Sequence, residues 1–234
     1  MLGYPRCLFV RISICRVSVL AVWLAGAFAS VSAQTPVEDP QALAAAIQRR
    51  YEGIRDIRAD FTHTYEGGIL RTKTVEKGRV VIRKPGRMRW TYTTPEEKVF
   101  VSDGTKLYSY VPADKQVYVA TVPQGDDATT PALFLAGRGN LVRDFKVTAT
   151  RVPGAPENSV ALKLTPTAPE KEYETLELVV DRDSFQWRML VTTDSQGGRS
   201  TFAFSNIREN TGVSDREFQF SIPRGVDVIT DSGR

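Results

Sequence analysis

Apolar side chains recur at every second residue through most of this chain, a period that demands strands and leaves little room for a helical bundle. Ile57, Ala59, Phe61, His63 and Tyr65 share one face, while Arg58, Asp60, Thr62, Thr64 and Glu66 share the other. Met88, Trp90 and Tyr92 alternate with Arg87, Arg89, Thr91 and Thr93. The same beat returns in Phe145/Val147/Ala149, Val160/Leu162/Leu164 and Leu176/Leu178/Val180, then in Phe185/Trp187/Met189/Val191, Phe202/Phe204 and Phe218/Phe220/Ile222. About eleven strands follow, joined by turn signals at Gly67-Gly68, Pro85-Gly86, Asp103-Gly104 and Gly197-Gly198. One antiparallel meander is the simplest wiring. Two segments depart from the period. Asp39-Pro40 is a cap followed by a first-turn proline, and Leu43, Ile47 and Tyr51 then recur at helical spacing. Thr130-Pro131 opens a second helix through Ala132–Ala136, ended by Gly137 and Gly139. The expected fold is mainly β with a few helices: a curved antiparallel sheet whose apolar face the helices cover.

The N-terminal stretch is of a different kind. Arg6, Arg11 and Arg16 precede an uncharged apolar run from Val17 to Ala29, and Val31-Ser32-Ala33 supplies small residues for cleavage. This is the pattern of a secretory signal peptide over residues 1–33, and its core is shorter than the roughly 20 residues of a membrane span. Cleavage after Ala33 leaves one domain, residues 34–234. Cys7 and Cys15 both lie in the leader, so the mature chain has no thiol for a disulfide, a metal or a nucleophile. An exported domain without disulfides points to a periplasm. The formal charge of +4 shrinks too: 31 basic residues become 28, against 27 acidic ones. Nucleic acid and polybasic membrane binding have no basis in a charge near +1.

Catalytic signatures are missing. The single histidine, His63, is not accompanied by a Gly-x-Ser-x-Gly elbow, and its face-sharing with Phe61 and Tyr65 reads as a hydrogen-bonded histidine at a core edge. Asp126-Asp127 and Asp181-Arg182-Asp183 lack calcium-loop spacing, and there is no glycine-rich phosphate loop. No cofactor or metal is expected, and the chain reads as a binder rather than an enzyme. A curved sheet carrying this many aromatics can hold a hydrophobic ligand.

The most specific stretch runs Gly78-Arg79-Val80-Val81-Ile82-Arg83-Lys84-Pro85-Gly86-Arg87-Met88-Arg89-Trp90, followed by Tyr92, Pro95 and Val101-Ser102-Asp103-Gly104 before Tyr108 and Tyr110. Ala59-Asp60-Phe61-Thr62, Thr130-Pro131, Phe218-Gln219-Phe220 and Pro223-Arg224-Gly225-Val226 flank it in order. The whole resembles the LolA-like family of periplasmic outer-membrane lipoprotein carriers. The resemblance implies an incomplete, strongly bent antiparallel barrel with a helical lid over an apolar cavity. It implies acylated lipoprotein cargo, received from an inner-membrane ABC-type release complex and delivered to an outer-membrane lipoprotein receptor. A carrier that exposes its mouth twice suggests a monomer. A binder or sensor of another lipid-like ligand, a fatty acid or glycolipid, is the alternative on the same fold.

The family's basic residue before the proline implies a latch that holds the lid through backbone carbonyls, and here that position is Lys84, where arginine is usual. Periodicity agrees, since Lys84 shares a face with Val80 and Ile82 and Arg83 does not. Tyr51, Leu135 and Ala136 are the expected carbonyl partners. A lysine offers three donors but no rigid fork, so it controls geometry less well. The cavity candidates are Leu43, Ile47, Phe61, Val80, Ile82, Met88, Trp90, Tyr92, Leu133 and Phe134.

Overall fold

The structure is a computed structural model that describes residues 39–68, 72–122, 135–168, 170 and 173–230. The leader and most of the second expected helix, Leu133 and Phe134 included, lie outside the described residues. Asp39 caps α1 (Pro40–Glu52), its carboxylate accepting from the Gln41 N–H at 3.1 Å. Proline at the first position costs nothing there, because that N–H has no helical partner. Arg49 and Arg50 complement the dipole in the last turn, and Leu43, Ala44, Ile47 and Tyr51 form the buried stripe.

Twelve strands follow among the described residues: β1 (Asp56–Glu66), β2 (Lys73–Arg83), β3 (Arg87–Thr94), β4 (Lys98–Asp103), β5 (Lys106–Val111), β6 (Gln116–Thr121), β7 (Phe145–Thr150), β8 (Ser159–Pro166), β9 (Thr175–Asp181), β10 (Trp187–Thr193), β11 (Arg199–Glu209) and β12 (Asp227–Thr230). They form one sheet in the order β12-β6-β5-β4-β3-β2-β1-β11-β10-β9-β8-β7, with edges that do not pair and so leave the barrel open. The expected single meander is corrected. There are two meanders, β1–β6 and β7–β11, joined side by side where β1 meets β11. β12 then adds to β6 in parallel. Among the described residues the complete helical elements are α1 and two 3₁₀ turns, Pro112–Asp114 and Asp215–Phe218, and Leu135, the first described residue of the second expected helix, is helical.

One face of this sheet forms the main core. Ile57, Ala59, Phe61, Val80, Ile82, Met88, Trp90 and Tyr92 from β1–β3 share a single buried cluster with Leu162, Leu164, Leu176, Leu178, Trp187 and Leu190 from β8–β10, and α1 lies within it. Gly78 sits opposite Phe61 in the β1–β2 pairing. A Cβ there would stand 2.8 Å from the Phe61 ring, so glycine is what lets that ring lie across the strand.

The other face is covered separately. A register shift between Trp187 and Met189 breaks the alternation predicted for Phe185–Val191. Trp187 therefore faces the main core, while Met189 and Val191 join Val152 and Val179 on the opposite side. The stretch from Phe218 to Ile222, expected as a strand, instead begins with the last residue of the second 3₁₀ turn and continues without regular structure. Val213 and Phe218 pack on Val101 across the back of β3 and β4. Arginines on the polar side hold this segment. Arg89 donates to the carbonyls of Glu217 (2.6 Å) and Gln219 (2.8 Å), and Arg83 donates to the Val213 carbonyl (3.0 Å) and the Asp215 carboxylate (2.9 Å).

Candidate functional site

The main core is densest in rings where β11, β1, β3 and β4 meet. Phe61 is central, with its centroid 4.8 Å from Tyr92, 5.1 Å from Trp90 and 6.1 Å from Phe202. Trp90 also approaches Phe202 and Phe204, and Tyr92 approaches Phe100 at 5.6 Å. Most of these pairs are edge-on or tilted, the arrangement ring quadrupoles favour. Among the described residues Trp90 Nε1 is buried with no hydrogen-bond partner, an unusual donor in an apolar interior. Leu43, Ile47, Phe61, Val80, Ile82, Met88, Trp90 and Tyr92 are thus all brought into one cluster. Sequence reasoning had not assigned the leucines of β8 and β9 to the same interior. Their alternation marked them as a strand face, but nothing local says which face meets α1.

His63 closes one end of the ring cluster. Its imidazole stacks on Phe202 at 4.2 Å, with Nδ1 3.2 Å from the Glu76 carboxylate and Nε2 3.3 Å from the Ser200 hydroxyl. Burial lowers its pKa despite the opposing pull of Glu76, which also binds Lys98 Nζ at 2.6 Å. These contacts make it a histidine at the core edge. Among the described residues no three His, Cys, Asp or Glu side chains converge as metal ligands would.

At the end of β2 a polar cluster joins α1 to the last residues of the second expected helix, Leu135 and Ala136. The Lys84 ammonium donates to the Tyr51 carbonyl and lies 3.8 Å from the centroid of the Tyr51 ring. Burial lowers its pKa to about 8, opposed by Glu52. The three carbonyls named from sequence are all engaged, but Lys84 serves one of them. The Tyr51 hydroxyl donates to the Leu135 carbonyl, and the Gly86 N–H donates to the Ala136 carbonyl at 2.9 Å. Gly137, at φ +82°, lies against the lysine stem; a Cβ there would stand 2.6 Å from Lys84 Cγ and nearer still to Cδ.

The Val101–Gly104 motif acquires a physical reason here. Ser102 is fully buried and its hydroxyl donates to the Gly86 carbonyl at 2.7 Å, fixing the turn that carries Lys84. Asp103 accepts from the Thr105 N–H at 2.8 Å and the Lys106 N–H at 2.7 Å, shaping the hairpin into β5.

An open, curved sheet folded over one helix, with aromatics inside and polar contacts at one rim, defines the class of scaffold. The sequence then places it. The profile of the family described as outer membrane lipoprotein carrier protein LolA matches residues 52–221, and the chain belongs to that family. A relative from Chromohalobacter salexigens named outer-membrane lipoprotein carrier protein is 31% identical over 205 residues, 87% of this chain and 92% of that one. One of the same name from Nitrosomonas europaea is 31% identical over 176 residues, 74% of this chain and 82% of its own length. Among solved structures, an uncharacterized conserved protein from Thermus thermophilus shares the fold with a TM-score of 0.50 at 14% identity, over 81% of this chain and 99% of that one.

Proposed function

We propose that the protein is a non-enzymatic periplasmic carrier that shelters the acyl chains of lipoproteins between an inner-membrane release complex and an outer-membrane receptor. Family membership over residues 52–221 carries this reading. The structure contributes the means: an apolar, aromatic-rich sheet face under α1, with hydrogen bonds at its rim rather than within it. Residues 1–33 serve as the export signal, and the mature domain acts as a monomer.

The energetics demand a lid. Burying one methylene is worth about 0.8 kcal/mol, so one long acyl chain approaches roughly 10 kcal/mol. A carrier that kept all of that energy would never release its cargo. The ring cluster around Phe61 is packed on itself, and acyl chains enter only by displacing those contacts and parting the rim. Part of the binding energy is then spent on opening, and closure returns it when cargo leaves. Lys84 is the latch of this cycle, with Tyr51, Leu135 and Ala136 as the backbone it holds directly or through neighbours.

A hydrophobic dye bound to the purified protein tests the proposal. An acylated peptide should displace it at concentrations where the same peptide without acyl groups does not. Equal competition by the two peptides contradicts the acyl-chain reading. Displacement by free fatty acid but not by acylated peptide reassigns the ligand to a small lipid.

A further inference from the structure

Lys84 reaches the helix, not the segment it is expected to restrain. Its ammonium donates to the Tyr51 carbonyl, an oxygen that also accepts from the Ile54 N–H at 3.1 Å, and lies against the Tyr51 ring. The Leu135 carbonyl is bound instead by the Tyr51 hydroxyl. The tyrosine ring also packs on Trp187, at 4.5 Å between centroids and an interplanar angle of 37°. The ring is therefore in contact with both an indole and an ammonium, and its hydroxyl donates to one carbonyl. Burial, with Glu209 adding to it, raises the phenol pKa well above its ordinary value, so the group remains a donor.

We propose that Tyr51 is the positioning residue that relays the Lys84 latch to the lid, its backbone and ring held by the ammonium and its hydroxyl holding Leu135. This rests on the carrier reading, in which the segment at Leu135–Gly137 moves when cargo enters. The lysine is too committed to Tyr51 to grip the segment itself, and the phenol supplies the missing reach. The three residues from Leu135 to Gly137 are then held at three points: by the Tyr51 hydroxyl, by the Gly86 N–H, and by the flank of the Lys84 stem against the Gly137 backbone. Tyr51→Phe severs the relay while keeping the ring contacts with Trp187 and Lys84.

The Gly86 amide reports the result, because its hydrogen bond ends on Ala136 and opens when the segment leaves. Its hydrogen exchange is measured by NMR in ligand-free wild type, Tyr51→Phe, Lys84→Met and the double variant. Each single variant should speed exchange about five- to tenfold, the effect of one net hydrogen bond. The double variant should be no faster than the faster single, since both changes cut one path. An unchanged Gly86 amide in Tyr51→Phe, or effects that multiply in the double variant, overturns the relay. So does equal acceleration of the Leu164 and Leu178 amides, which would mark general destabilisation. Dye displacement on the same variants separates the two claims. Failed coupling with selective acyl-peptide displacement intact sinks the relay alone, whereas intact coupling without that displacement sinks the carrier reading alone.

Discussion

Gly137 shows how a single backbone position can constrain the Lys84 side chain without making a hydrogen bond to it. Its φ of +82° lies where an L side chain is strained by roughly 1–2 kcal/mol, and a Cβ would also strike the Lys84 stem. Gly154 separates these effects, since it has φ +76° with open space around its Cβ position. Gly154→Ala should lose about 1 kcal/mol in urea denaturation, and Gly137→Ala more than that, because it adds the clash with the Lys84 stem to the same backbone strain. Only Gly137→Ala should also speed exchange at Gly86, because only it displaces the ammonium from Tyr51. Equal Gly86 exchange in the two variants would show that the stem contact does not transmit to the rim. At this scale the sequence was partly legible. The direction of Lys84 followed from its alternation with Arg83, and its pairing with the helix came from resemblance. The hydroxyl of Tyr51 was invisible, because a helical stripe marks a residue as buried without saying what its polar tip meets.

Among elements, the C-terminal segment departs furthest from its local pattern. Phe218, Phe220 and Ile222 alternate as a strand would, yet arginines of β2 and β3 take up backbone carbonyls of residues 213–219 and lay the segment over the back of the sheet. Alternation records apolar spacing, and a strand partner has to be available before it becomes a strand. Asp56 anchors the start of this segment, accepting from the Thr211 N–H at 2.7 Å, the Thr211 hydroxyl at 2.9 Å and the Gly212 N–H at 3.1 Å. Burial alone would raise its pKa, but the donors of Thr211, Gly212 and Val213 outweigh it and the net shift is downward. The stabilisation is present above the unfolded carboxylate pKa near 4 and is lost as pH falls through the lower folded value. Asp56→Asn should cost about 1–3 kcal/mol at pH 7. That deficit should begin to shrink as the pH falls below about 4, where the unfolded carboxylate takes up its proton, and should vanish below the lower folded pKa, where the folded one does too. Urea denaturation of both proteins at the two pH values checks this, and a deficit unchanged at low pH would show that the Asp56 charge is not what holds the segment. Strand existence, α1 and the hairpin turns were legible because each is a local signal. The bulge in β10 was not, since one inserted residue in a pairing leaves no mark in composition.

For the whole molecule, the pairing of β1 with β11 is decisive and the least legible from sequence. It sets Phe61 beside Phe204 and His63 beside Phe202 across more than half the chain, and no local pattern encodes such a register. That join brings the two meanders around one interior, where α1 and the Lys84 turn close the rim. The central claim is that this interior releases acyl cargo because rim closure recovers free energy. Transfer of a labelled lipoprotein from loaded protein to outer-membrane vesicles tests it most directly, comparing wild type, Lys84→Leu and Arg83→Leu. Arg83 is on the opposite face, bound to the C-terminal segment, so its loss should lower stability modestly and leave transfer intact. Lys84→Leu should take up cargo and accumulate loaded, with transfer to vesicles falling severalfold or more. Transfer at the wild-type rate by Lys84→Leu would contradict the account, because the rim would then contribute nothing to release.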